Sequence, residues 1–377
     1  MAQDREGVSV RQFRQLLYLV MLPVVVRTMP GRLAETAGAA GWLAPLAALL
    51  PTLPVAWLAV RLITPTPGRW RGMAEVFCHA LGPVAGRVLS LIYLVWLLVL
   101  TCDVLRLYGE RFLSSIYEHM SPAPFFVVLL LLVFWMLRGS FAALARVNQI
   151  FFPALAVVLL AVLLLSLHSV EPIQVLPIRG QDALPVGRAV LPMMNVMALA
   201  FYTTFLAGGI RQRETSRPGR FLWGLGGFCL FAALFQFVVT GNFGAALAAR
   251  IRLPLFALSK QIRILGAFER MESVTISLWV FTDLILVCTM LLACCTILQQ
   301  TGLFRDGRSA AGPLVLLCLA GAYLIAGDAF ALETFSRRLV QPLNAALGYG
   351  VPFVLYFVEM ARTRRQKPER NWHSRKK

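Results

Sequence analysis

The stretch Phe151–Leu167 holds no charged side chain, and neither does Phe125–Leu137. Uncharged runs of this kind leave water only as buried core helices or as membrane crossings, and about 20 apolar residues reach across the hydrocarbon layer. Similar runs fill most of the chain. Of its 377 residues 58% are hydrophobic and 14% are charged, against about 25% charged in a soluble domain. A large soluble catalytic domain has no room here. The pattern predicts an all-α polytopic membrane protein with ten spans, near 12–36, 41–63, 84–108, 124–138, 142–168, 184–210, 219–241, 272–300, 312–332 and 342–361. Residues 1–361 form one transmembrane domain, and 362–377 a basic tail.

The segment before Leu16 carries Asp4, Arg5, Glu6, Arg11 and Arg14, and the run after it is broken by Pro23, Arg27 and Pro30. That is not the compact apolar stretch of a cleaved signal, so a retained first span is expected. Placing the N-terminus in the cytoplasm puts 23 of the 36 Lys and Arg on that side, tail included. This is the bias that orients membrane proteins, and it predicts both termini inside. The net charge of +18 is then no sign of nucleic acid; the basic tail beside a span fits anionic lipid. The exception is 242–271, where Arg250, Arg252, Lys260, Arg263 and Arg270 alternate with apolar residues around Pro254. It predicts two short amphipathic helices on the outer face, with another, Met73–Leu81, on the inner face.

The seven cysteines lie in or beside apolar runs without CxxC or Cys/His spacing. They predict packing residues, with no metal site and no cofactor. No phosphate loop, nucleophile elbow or catalytic carboxylate pair occurs, so no enzymatic activity is expected. Gly224, Gly226 and Gly227 sit in an apolar helix, where small residues favour helix packing.

Five features bear on chemistry. Span one is interrupted by Pro23 and Pro30–Gly31, with Arg27 between them. Freed backbone groups are tolerated in a bilayer only where protein or water satisfies them, as at transporter substrate sites; an ordinary proline kink is the alternative. Arg27 either binds a carboxylate or snorkels to the outer interface. Span six has a matching irregularity, with Pro185, Gly187 and Pro192 before Asn195 and Tyr202, Thr203, Thr204 and Gly208–Gly209 after it. Interrupted spans at equivalent places in two halves, about 12–168 and 184–361, point to an inverted-repeat transporter of five plus five helices. Asp103, Arg106 and Glu110 share one helical face, as structural ion pairs or an outer gate. Asp283 lies deep in span eight, as a proton carrier, a contact for a cationic group or an acceptor for neighbouring helices. Asp328 in span nine is a weaker case, and Asn148, Gln236 and Asn242 read as hydrogen-bond partners between helices.

Pro30–Gly38 (PGRLAETAG) followed by Gly41-Trp42-Leu43, Met120–Pro124 (MSPAP), and Phe268–Glu272 (FERME) leading to Trp279-Val280 resemble the landmarks of the spore germination B-subunit permeases. That family belongs to the amino acid–polyamine–organocation superfamily, and the resemblance runs along essentially the whole chain. It implies a leucine-transporter-type fold, with broken helices 1 and 6 around a central pocket that the 242–271 stretch lids. It also implies a nutrient-germinant receptor subunit of the inner spore membrane, acting with A-type and lipoprotein C-type subunits on an amino acid or similar small nutrient. The family usually has a Gly-Thr pair in the unwound part of span one; Pro23 and Val24 stand there in this chain. The expected ligand-binding residues are Pro23, Val24, Arg27, Cys102, Asn195, Tyr202 and Asp283. A proton-coupled amino-acid transporter using Asp283, or an ion or water channel of the germination machinery, are the other functions compatible with these residues.

Overall fold

The computed structural model describes residues 7–65, 69–115, 120–176, 178–211, 218–261 and 271–374. These are helical almost throughout. An isolated β-bridge joins Val8 and Ile210, in which Val8 N–H donates to the Gly209 carbonyl and Arg211 N–H to the Val8 carbonyl. It ties the start of the first helix to the end of the sixth span.

Helix α1 (Val10–Arg27) opens on a capping box, in which Ser9 Oγ accepts from Gln12 N–H and the Gln12 side chain accepts from Ser9 N–H. Two of the four unmet amides at a helix start are satisfied in this way. Pro23 lies inside α1. The interruption comes later than Pro23, at Thr28, after which Pro30 opens α2 (Met29–Ala37). Proline suits this place because the first helical N–H has no acceptor anyway. At Gly38 the backbone takes φ +56°, a region glycine enters without steric cost. The turn brings Gly41 so close to the Leu33 carbonyl that an added Cβ would sit 2.8 Å from it.

The chain continues through α3 (Leu49–Ile63), α4 (Met73–Leu81), α5 (Pro83–Ser115), α6 (Ala123–Leu137) and α7 (Phe141–Leu167). Then come α8 (Ala183–Tyr202), which passes into a 3-10 turn at Thr203–Gly209, and α9 (Pro218–Ala248). Helices α10 (Pro254–Gln261), α11 (Met271–Gln300), α12 (Ala311–Leu324), α13 (Ala329–Phe335) and α14 (Val351–Ser374) complete the described chain. Between α13 and α14 lie two π-helical turns, Ser336–Val340 and Ala346–Gly350.

Eight helical stretches among the described residues are long and apolar enough to cross a membrane, where the sequence predicts ten spans. Met29–Ile63 runs as one helical stretch across the expected boundary between spans one and two. Helix α6 has 15 residues, about 22 Å at 1.5 Å per residue, short of a roughly 30 Å core. Span six departs from expectation too: α8 is continuous past Pro192 and Asn195, and its geometry changes only at Thr203. The amphipathic helix at Met73–Leu81 forms as expected, and of the outer pair α10 is present. The second of that pair falls on 262–270, outside the described residues.

In lipid, helices associate through close packing and polar contacts rather than through escape from water. Helix α1 is surrounded by α7, α8 and α11, while α11 lies along α5, and α12 packs on α5 and α6. All seven cysteines are free, and six of them are buried. Cys102 Sγ faces the Cys318 carbonyl at 3.6 Å and lies against Gly321. Within α9, Gly224 meets the Tyr18 hydroxyl, whereas Gly226 and Gly227 face open space. Gln236 donates to the Pro30 carbonyl and Asn242 to the Ser166 carbonyl, bonds between helices as expected. Asn148 departs from that expectation: it is fully buried, and no polar group among the described residues reaches its amide. Asp328 is exposed and lies beyond the end of α12 at Leu324; its carboxylate caps α13 by accepting from Ala331 N–H at 2.7 Å.

Helix α4 is held to α5 at Gly86, where an added Cβ would lie 2.5 Å from both Cα and N of Cys78. Backbone cannot swing aside as a side-chain tip can. Gly86→Ala is expected to destabilise the protein by about 1–3 kcal/mol, the usual range for overpacking. Thermal unfolding in detergent measures it, and an unchanged midpoint would show that α4 can lift from α5 freely.

Candidate functional site

A cavity of about 330 Å³ lies where α1 gives way to α2. Its walls are Val24, Arg27 and Thr28 at the interruption, Leu100, Asp103, Val104 and Arg111 on α5, Asn195 and Leu199 on α8, and Leu286 and Met290 on α11. The sequence places these side chains by helical period. Leu100, Asp103, Val104, Leu107 and Arg111 recur at three- and four-residue steps, which puts them on one stripe of α5. Arg27 ends α1, where the partial negative charge of the last carbonyls favours a cation.

The buried charges form an unequal set. Asp283 is fully buried, with Arg27 Nη1 3.5 Å from its Oδ1 and Arg111 paired to its Oδ2. Arg27 is only 6% exposed, so it does not snorkel. Arg111 also lies over the Tyr108 and Trp279 rings, 5.8 and 6.0 Å from their centroids. Two guanidiniums thus share one carboxylate. The second acid, Asp103, is 5% exposed and joins no ion pair among the described residues. Its Oδ1 has no hydrogen-bond partner among the described residues, and neither has Arg27 Nε. The expected ion-paired face of α5 is therefore divided. Arg106 pairs with Glu110 at 2.7 Å and donates to the Gly327 carbonyl, while Asp103 faces the cavity.

At the mouth, Arg337 bridges Glu35 of α2 and Glu333 of α13 at 2.5 and 2.8 Å, all three being partly exposed. Arg32 donates to Ser336 Oγ at 3.1 Å. Residues Arg250–Leu253, before α10, line the same opening. At the floor, Asn344 Oδ1 accepts from Trp96 Nε1 at 2.9 Å and from the Tyr202 hydroxyl at 2.6 Å, while its amide donates to Asn195 Oδ1. The network rests on the stretch between the two π-helical turns, a geometry often found at functional sites.

Of the residues expected to bind a ligand, Val24, Arg27 and Asn195 line the cavity together. Asp283 stands behind Arg27 and Arg111, and Tyr202 behind Asn344. Pro23 is buried within α1 next to Val24, and Cys102 points to α12, away from the cavity. Helices α5 and α11 form the opposite wall through Asp103, Val104, Leu286 and Met290. Sequence reasoning missed Arg111, Asn344 and the Glu35–Arg337–Glu333 bridge. For Arg111 a signal existed: it falls eight residues after Asp103, on the same stripe. No group of three potential metal-ligating side chains converges among the described residues.

The cavity is lined by apolar and charged side chains, and among the described residues Asp103 Oδ1 and Arg27 Nε beside it have no hydrogen-bond partner. Such a place can take up a small polar solute and orient it. Residues 7–326 match the family model of spore germination proteins, the spore permeases. No curated protein matches the chain.

Proposed function

The chain belongs to the spore germination permease family, and from that membership we propose that it is the nutrient-sensing subunit of a germinant receptor. A small nutrient occupies the cavity between the α1–α2 interruption and α5, α8 and α11. The ten predicted crossings form two inverted five-helix repeats, with both termini in the cytoplasm. Occupancy biases the balance between outward- and inward-facing arrangements. A-type and lipoprotein C-type partners in the inner spore membrane read that change.

The observation that carries this reading is the cavity itself: it sits at the helix interruption and keeps buried charged groups without full partners. Asp283 does not line it and is engaged as counter-ion to two arginines, which weighs against its use as a mobile proton carrier. The test is a binding screen of amino acids against the protein in lipid nanodiscs, with uptake into proteoliposomes measured beside it. Binding without accumulation is expected. Leu199→Trp, which fills the cavity, is expected to weaken binding at least tenfold. Accumulation driven by a pH gradient would support the transporter function instead.

A further inference from the structure

We infer that a narrow slot between α1, α3, α8 and α9 holds one acyl chain of an anionic phospholipid, whose phosphate is taken by Arg14 and Tyr18. The slot has a volume of about 70 Å³ and shares no lining residue with the cavity at the helix interruption. Its apolar walls include Leu17 on α1, Val55 and Ala59 on α3, Met197 and Phe201 on α8 and Leu225 on α9. On α3 alone the lining runs from Thr52 to Ile63, about 16 Å at 1.5 Å per residue. So small a volume drawn out over that length has the cross-section of a hydrocarbon chain. A compact solute would leave most of it unfilled.

The polar groups of the slot show which end takes the headgroup. Thr52 Oγ1 and the Tyr349 hydroxyl share a hydrogen bond of 3.0 Å, and Thr204 donates to the Phe201 carbonyl. These hydroxyls are therefore engaged within the protein. Arg14 and Tyr18 differ. They stand four residues apart on one face of α1, both half-buried, and neither side chain forms a hydrogen bond or ion pair among the described residues. Helix α1 begins at Val10 and α3 ends at Ile63, so Arg14 lies where both helices reach the end of the apolar layer. Exposed Arg11, Arg61 and Arg211 surround the same end without an acidic partner among the described residues. Basic pockets between helices at the edge of a bilayer favour a net negative headgroup, and a guanidinium with a phenol beside it offers several donors to phosphate oxygens. The ligand is thus an anionic phospholipid with its tail along the slot, and it is independent of what occupies the larger cavity.

The experiment titrates the delipidated full chain in detergent with three probes and counts bound molecules by native mass spectrometry: dioleoylphosphatidylglycerol, dioleoylphosphatidylcholine, and dihexanoylphosphatidylglycerol, which has the charge without the long chain. One dioleoylphosphatidylglycerol per chain is expected to bind more tightly than either of the others. Arg14→Gln should weaken it about fivefold, the effect of one arginine near an anionic lipid surface. Arg220→Gln, at an exposed arginine outside the slot, should leave it unchanged, and Ala56→Phe, which fills the slot, should remove it. Because the three probes compare headgroup and chain on the unaltered protein, a variant that fails to fold does not decide the result. Equal binding of the two dioleoyl lipids, or equal losses at Arg14 and Arg220, would overturn the headgroup assignment. Equal binding of the short-chain lipid, retention of a free fatty acid in place of phospholipid, or no bound lipid at all would overturn the acyl-chain slot itself.

Discussion

Asp283→Ala is expected to destabilise the folded protein by about 3–5 kcal/mol, the cost of breaking a buried ion pair from one side. The carboxylate is fully buried, and its removal takes the shared counter-ion from Arg27 and Arg111. At 3.5 Å and an effective dielectric constant of about 20, the Arg27–Asp283 pair is worth roughly 5 kcal/mol before desolvation, so a loss of that order is consistent. The partners should behave unequally. Arg27→Met or Arg111→Met leaves Asp283 with one guanidinium and costs less than losing the acid. Replacing all three with Arg27→Met, Arg111→Met and Asp283→Leu removes the need for compensation and should restore much of the stability. Reversible unfolding in mixed micelles, followed by tryptophan fluorescence, compares the series. A triple variant less stable than Asp283→Ala would mean that the cluster supports the fold by something other than charge balance.

The same cluster shows where the sequence stops being legible. Membrane helices announce themselves because their apolar runs are local, and the stripe on α5 is local as well. Arg27 and Asp283 lie 256 residues apart, and no periodicity couples them; only the packing of α1 on α11 does. In the sequence alone Arg27 therefore reads as a carboxylate-binding or a snorkelling side chain. Arg111 was lost to a boundary, since the third span was expected to end at 108 and α5 runs to Ser115. With those two turns added, the helical period alone sets Arg111 beside Asp103. Of the residues marking the expected interruptions, Pro30 and Thr203 stand at the changes in geometry, while Pro23 and Pro192 do not break their helices. Proline lies within α1 and α8 at Pro23 and Pro192, and in a packed bundle neighbouring groups can satisfy what it frees. The real changes in geometry come at Thr28 and Thr203. Asn344 was invisible because its partners Trp96, Asn195 and Tyr202 come from two distant helices.

Asn344→Ala is expected to cost about 2–4 kcal/mol, since it removes one buried side chain that satisfies three others. Trp96 N–H keeps the Tyr202 hydroxyl at 3.0 Å. The Tyr202 O–H and the Asn195 carbonyl oxygen lose their partner, and each unmet group costs roughly 1–3 kcal/mol. A double-mutant cycle with Tyr202→Phe separates the network from simple truncation. Tyr202→Phe removes the hydroxyl that Asn344→Ala would strand, while the double variant takes both acceptors from Trp96 N–H, so the single effects should not add. A coupling of about 0.5–3 kcal/mol is expected for directly bonded neighbours, and one below that range would show the floor to be held by shape alone. The placement gives the network its consequence. Asn195 and Asn344 face the cavity while Trp96 and Tyr202 stand behind them on α5 and α8. A solute that displaces either amide must therefore rearrange bonds reaching both helices, which gives occupancy of the cavity a route into the packing of the bundle.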